Sequence, residues 1–173
     1  MYLLGHIGIS LLLFSPLAAL LVSTGQVVLA VLTGALMVAL GPFPDLDEYT
    51  DRIPHRGLTH TVWFALGVGM GVGLVAFAVS VLLGIGATGG NTLVIASDPL
   101  GTALWFGGVS TLAIFGHLAG DIITPMGVWP FRPISTFHHS FAVIPAKNPR
   151  ANYTLFVAGV GAVSVAVAVA TFV

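Results

Sequence analysis

Five apolar stretches separated by turns and polar loops set the pattern of this chain. Tyr2 to Val22 is apolar around Pro16, which membrane helices tolerate as a kink rather than a stop. Ser23-Thr24-Gly25-Gln26 has the composition of a tight turn. Val27 to Leu40 is apolar for only 14 residues. A spanning helix needs about 20, so this one must extend into its flanks or re-enter. Leu58 to Leu83 is the next span, with Thr59 as its expected N-cap and His60 in its first turn. Gly67, Gly69, Gly71 and Gly73 give it two Gly-xxx-Gly pairs, which permit close helix packing. Thr102 to Ile123 follows and ends before Thr124-Pro125. Tyr153 to Val173 closes the chain with no ionisable side chain. The fold class expected is all-α, a polytopic transmembrane bundle of about five hydrophobic segments in one domain, residues 1–173.

Composition agrees with that pattern. Of 173 residues only 6% are charged and 57% are hydrophobic, and the mean hydropathy is +1.05. A soluble domain carries about 25% charged residues, so the lipid bilayer is the expected surroundings. There is no cysteine, which excludes disulfides and thiolate metal sites. A net charge of −1 argues against a nucleic-acid partner. The N-terminus lacks a basic region before its long apolar run, so no cleaved signal peptide is expected.

The few charges are not scattered. All five Lys and Arg lie in the loops 41–57 and 124–152, and the loop 84–101, a plain glycine-rich connector, has none. Lys and Arg in short loops mark the cytoplasmic side, so those two loops are expected to share that face of the cell membrane. An even number of crossings then brings His6 back to the same face. All six histidines and five of the six acids fall there, Asp98 being the exception. Polar residues that merely follow long loops would account for the loop members. They would not account for His6, His60, His117 and Asp121, which sit within hydrophobic segments near that face.

Metal binding is the simplest chemistry for such a set. His117 and Asp121 are four residues apart, so on a helix both leave the same face; a plain hydrogen-bonded helix cap would use the same pair. Asp45 and Asp47 are spaced to chelate or bridge, and they also suit a solvated acidic loop. His55 and His60 flank Gly57, where a turn can bring them together. His138 and His139 are adjacent and point apart, so at most one would be a ligand. Without thiolates the donors suit a divalent ion, zinc or manganese, or ferrous iron. Arg56 and Arg132 fit phosphate recognition or simple anchoring at the membrane face.

The order of these motifs resembles a known family. His6 near the N-terminus, then Pro44-Asp45-Leu46-Asp47, then His55-Arg56-Gly57-Leu58-Thr59-His60-Thr61, then G-H-L-x-G-D-x-x-T-P-x-G from Gly116 to Gly127, are similar to the membrane-bound metal-dependent hydrolases, the LexA-regulated inner-membrane hydrolases. The likeness runs from residue 6 to about residue 139. It implies a small multi-helix membrane protein with a metal-dependent hydrolase site. Matched residue by residue, it points to His6, Asp45, Asp47, His55, His60, His117 and Asp121. The His-x-x-x-Asp pair also resembles that of zinc-dependent phospholipases C. Those enzymes complete a trinuclear site with a His and a Glu on a later helix, and the last helix here has neither.

Two functions are therefore expected to compete. One is a membrane-embedded hydrolase acting through a metal-bound water on a phosphoester or other ester, lipid or small molecule, at the lipid–water interface. Its ligands would be His6, Asp47, His55, His60, His117 and Asp121, with Asp45 as general base and Arg56 neutralising developing negative charge. The other is a non-enzymatic metal-binding or transport protein. A transporter carries its polar groups near the bilayer midplane, whereas here they crowd one end. Substrate, metal number and oligomeric state do not follow from the sequence.

Overall fold

The computed structural model describes residues 1–49, 55–83 and 99–172. Asp51, Arg52 and Asp98, and most of the expected 84–101 connector, lie outside the described residues. Five long helices run in chain order, α1 (Leu3–Ser23), α2 (Val27–Leu40), α3 (Val62–Leu83), α4 (Pro99–Ile122) and α5 (Pro149–Thr171), with 3-10 segments at Phe43–Tyr49 and Leu58–His60. No strand occurs among the described residues. All five helical units are long and apolar enough to cross a membrane, the second by running from α2 through the 3-10 segment as Val27–Tyr49. The short apolar stretch at 27–40 thus gains its length from its C-terminal flank.

Local chemistry explains the boundaries. α1 continues through Pro16 and stops at the turn, where Gly25 takes a positive φ of 74° that L side chains seldom adopt. Thr59 is not the cap of α3. That place belongs to Thr61, whose Oγ1 accepts from the Phe64 N–H at 3.2 Å. α4 begins at Pro99 and α5 at Pro149, each a few residues ahead of the apolar run. Proline suits a first turn, where its missing N–H costs nothing. Asn148 caps α5 by accepting from the Ala151 N–H at 3.2 Å.

Helices neighbouring in sequence run antiparallel, and α1 lies parallel to α5. A Cβ placed on Gly8 would fall 2.5 Å from the Leu155 carbonyl, and one on Gly159 would strike the Gly8 carbonyl oxygen. The α1 and α5 backbones therefore touch directly, as small residues allow in membrane helices. Gly69 and Gly73 do the same for α3 against Gly107 and Ala103 of α4. Inside, Phe14, Ala18, Met37, Val109 and Ala113 join α1, α2 and α4, and the Trp105 indole N–H donates to Thr33 Oγ1 at 3.0 Å. This packing brings together the starts of α1, α3 and α5 and the ends of α2 and α4.

Candidate metal centre

At that end the chain folds back over its own helix termini. The carbonyls of Ile122 and Ile123, left without helical partners at the end of α4, accept from the N–H groups of Phe141 and Val143 at 2.7 and 2.9 Å. Val128 and His139 form a backbone bridge at 3.0 Å in each direction. The Val62 N–H at the start of α3 donates to the Pro130 carbonyl at 2.9 Å. The loop after α4 thus fixes both helix ends that carry the polar cluster.

His6 comes from the first turn of α1, Asp45 and Asp47 from the Phe43–Tyr49 segment, His60 from the 3-10 turn before α3, and His117 and Asp121 from the last turns of α4. His6, His60, His117 and Asp121 are fully buried, and the Asp45 side chain keeps 19% of its exposure. Donor atoms of His6, Asp45, His117 and Asp121 all lie within 4.8 Å of one another, and Asp45, His55 and His60 form a second such group. His60 joins the two. Its Nε2 is 3.0 Å from His117 Nε2, 3.3 Å from Asp45 Oδ1 and 3.3 Å from Asp121 Oδ2. His117 Nε2 is 3.4 Å from Asp45 Oδ1 and 3.6 Å from Asp121 Oδ2.

Five edges of a four-atom cage therefore measure 3.0–3.6 Å. Four donors about 2.0–2.2 Å from a tetrahedral ion stand roughly 3.3–3.6 Å apart. The donor set fits such an ion. Two further observations agree. Both ring nitrogens of His6 are buried without a hydrogen-bond partner among the described residues, which is costly unless something binds them. The backing groups also orient the rings. His117 Nδ1 donates to the Gly41 carbonyl at 2.8 Å, and a carbonyl only accepts, so Nε2 presents its lone pair to the cage. His60 Nδ1 lies 2.9 Å from Thr59 Oγ1 and 3.3 Å from Asp47 Oδ2, an outer carboxylate of the kind that fixes a ligating histidine.

Burial pushes the His60 pKa down, but hydrogen bonds to the Asp121 and Asp45 carboxylates outweigh it and leave the ring raised. With His117 Nε2 accepting, the proton between the two rings belongs to His60. A metal ion there would displace it, since ligating imidazole is neutral.

The remaining expected residues take other places. Asp47 faces His60 Nδ1, His55 Nδ1 at 2.8 Å and the Thr59 hydroxyl, behind the cage rather than in it. His55, about one-third exposed, has its other nitrogen 3.2 Å from Glu48, so both of its nitrogens meet carboxylates. Arg56 is buried at a φ of 58°. Its guanidinium donates to Asp121 Oδ1 at 2.8 Å, the Gly127 carbonyl at 2.7 Å and Thr124 Oγ1 at 3.3 Å. His138 donates to the Met126 carbonyl at 2.9 Å and lies against Trp129, and His139 stacks on Phe137 and meets Phe141 edge-on; both belong to the loop's own packing. Sequence reasoning missed Thr59, Thr124, the Gly41 carbonyl and Asn152. Buried Asn152 accepts from the Tyr2 N–H at 3.0 Å and donates to the Ala146 and Asn148 carbonyls, tying the start of α1 to α5. A lone Asn at the start of an otherwise apolar run was the available signal.

The family model described as YdjM inner membrane protein matches residues 1–173, the whole chain. No curated protein and no solved structure matches it.

Proposed function

We propose that this chain, which belongs to the YdjM inner membrane protein family, is a membrane-embedded metal-dependent hydrolase acting on a phosphoester or other ester at the lipid–water interface. It is a multi-pass membrane protein with a buried His/Asp cluster able to hold a metal ion. The observation that carries the hydrolase reading is the incomplete protection of that cluster: four inward donors, five of whose mutual distances are 3.0–3.6 Å, of which Asp45 alone reaches the outside. A closed structural site has no use for an accessible edge, whereas a catalytic one needs it.

His60, His117, Asp45 and Asp121 would hold the ion, with His6 as a further donor 3.4 Å from Asp45 Oδ2. Zinc or manganese in that place supplies a water nucleophile at neutral pH and positive charge for the developing oxyanion. The chain's own residues do the rest. Asp47 and Thr59 hold the His60 ring, and the Gly41 carbonyl holds His117. Asp45, open to the outside, can take a proton from water entering at that edge. Arg56 holds Asp121 in place and adds positive potential one ligand away from the reacting atoms. The Lys and Arg content of the loops around the site supports a cytoplasmic-facing reading of it.

Elemental analysis of purified protein should find a divalent metal, reduced in His117→Ala. With zinc or manganese, wild type should turn over members of a panel of phosphomonoesters, phosphodiesters and lipid esters, and Asp121→Asn and His117→Ala should fall to background while the fold survives. A hydrogen-bonded helix cap would tolerate Asp121→Asn at a cost of about 1 kcal/mol. Metal without turnover would move the protein to the non-enzymatic class, and no metal would remove the reading.

A further inference from the structure

We infer that the cavity beside Asp45 receives the apolar chain of an amphiphilic anionic substrate, with the head at the metal centre; this rests on the metal-dependent reading above. The cavity has a volume of about 290 Å³ and lies between the start of α1 and the segment that continues α2. Leu3, Phe43, Leu46 and Tyr49 supply apolar walls, with Asp45 and Glu48 as its acids. Of the five residues His6, Asp45, His60, His117 and Asp121, Asp45 is the accessible one, so the route to the buried donors passes through this cavity.

Its chemistry narrows the occupant. Among the described residues lining it there is no lysine or arginine. Arg56 is turned inward onto Asp121. The Met1 α-ammonium also lines the cavity but is held on Asp121 Oδ1 at 2.9 Å, so an anionic head finds no free cation in the walls and is repelled by Glu48 and Asp45 unless an ion sits in the cage. The walls can select for the remainder of the molecule only through apolar contact. Leu3, Leu46 and Tyr49 are 57%, 53% and 87% exposed, which is natural where two spanning helices meet the membrane surface and an acyl chain can slide between protein and lipid. The volume takes roughly ten water-sized groups, enough for a head and the first part of a chain, with the rest of the chain left in the bilayer. The small head and single chain of an alkyl phosphate represent this class.

The test uses the full chain in lipid nanodiscs loaded with zinc, and measures calorimetric binding of inorganic phosphate, ethyl phosphate and dodecyl phosphate. Leu46→Trp, at an exposed position, fills the cavity without touching a donor. Wild type should bind dodecyl phosphate at least about tenfold tighter than ethyl phosphate, since each buried methylene is worth roughly a fourfold gain. Leu46→Trp should hold as much zinc as wild type and lose most of that preference. Partition of the long chain into the nanodisc is the same for both proteins, so it cannot produce the difference between them. Equal affinities for the two alkyl phosphates, or a preference that survives Leu46→Trp, would overturn the inference while leaving the metal centre standing. Absence of zinc in wild type would overturn both.

Discussion

Asp45 and Asp47 look equivalent in the sequence, and the fold separates them. The segment that carries them is a 3-10 helix, where successive residues turn by about 120°. Positions i and i+2 then point to different sides, so one carboxylate enters the cage and the other passes behind His60. The Asp-x-Asp spacing could suggest a shared ion but could not say which oxygen would reach it. That depended on the conformation of seven residues between two helices. The distinction predicts different mutant behaviour. Asp45→Ala should abolish zinc retention against a competing chelator. Asp47→Ala removes only the group that orients His60 and should weaken zinc affinity about 10–100-fold. If Asp47→Ala loses zinc as completely as Asp45→Ala, Asp47 is itself a ligand. His6, His60, His117 and Asp121 were legible because an ionisable side chain inside an apolar run is costly and so already marks a site. Arg56 was named for a substrate's negative charge, but its partner Asp121 was not legible, because a loop arginine gives no sign that it will turn inward.

At the scale of elements, the apolar stretches gave the five helices but not their partners. Every face of a membrane helix is apolar, so periodicity cannot show which one meets protein. The glycines carry part of that information. Of the four alternating glycines in α3, Gly69 and Gly73 meet α4, and Gly67 and Gly71 have no neighbour within 4 Å of an added Cβ. Only geometry separates the two pairs. The parallel α1/α5 contact, centred on Gly8 and Gly159, had no sequence signal beyond the presence of those residues. It predicts that Gly8→Val destabilises the protein by about 1–3 kcal/mol through overpacking, and Gly71→Val by less than about 0.5 kcal/mol. Thermal unfolding of both variants in one detergent would measure this. Equal melting shifts would mean that α1 and α5 do not rest on that close approach.

At the scale of the molecule, the cluster exists because an odd number of helices delivers the starts of α1, α3 and α5 and the ends of α2 and α4 to one end. The residues concerned span positions 6 to 152, and no local motif holds more than a part of them. What made the convergence readable from sequence was charge, because cations restricted to two loops imply that those loops share a side. The cost of a buried carboxylate then explains why the loops also close over the cluster: Asp121 needs Arg56, and Arg56 needs the turn at Gly127, whose φ of 58° presents its carbonyl to the guanidinium. The membrane orientation of this end is open to direct measurement. The chain has no cysteine of its own, so single cysteines placed at Tyr49, Asn148 and Gln26 can be labelled with an impermeant thiol reagent on intact cells and on inverted vesicles. Tyr49 and Asn148 should react only in inverted vesicles, and Gln26, at the turn between α1 and α2, only in intact cells. If all three positions react oppositely, the site faces away from the cytoplasm, and its substrate must come from the other leaflet. If Tyr49 and Asn148 react from different sides, the two loops do not meet and the shared centre does not form.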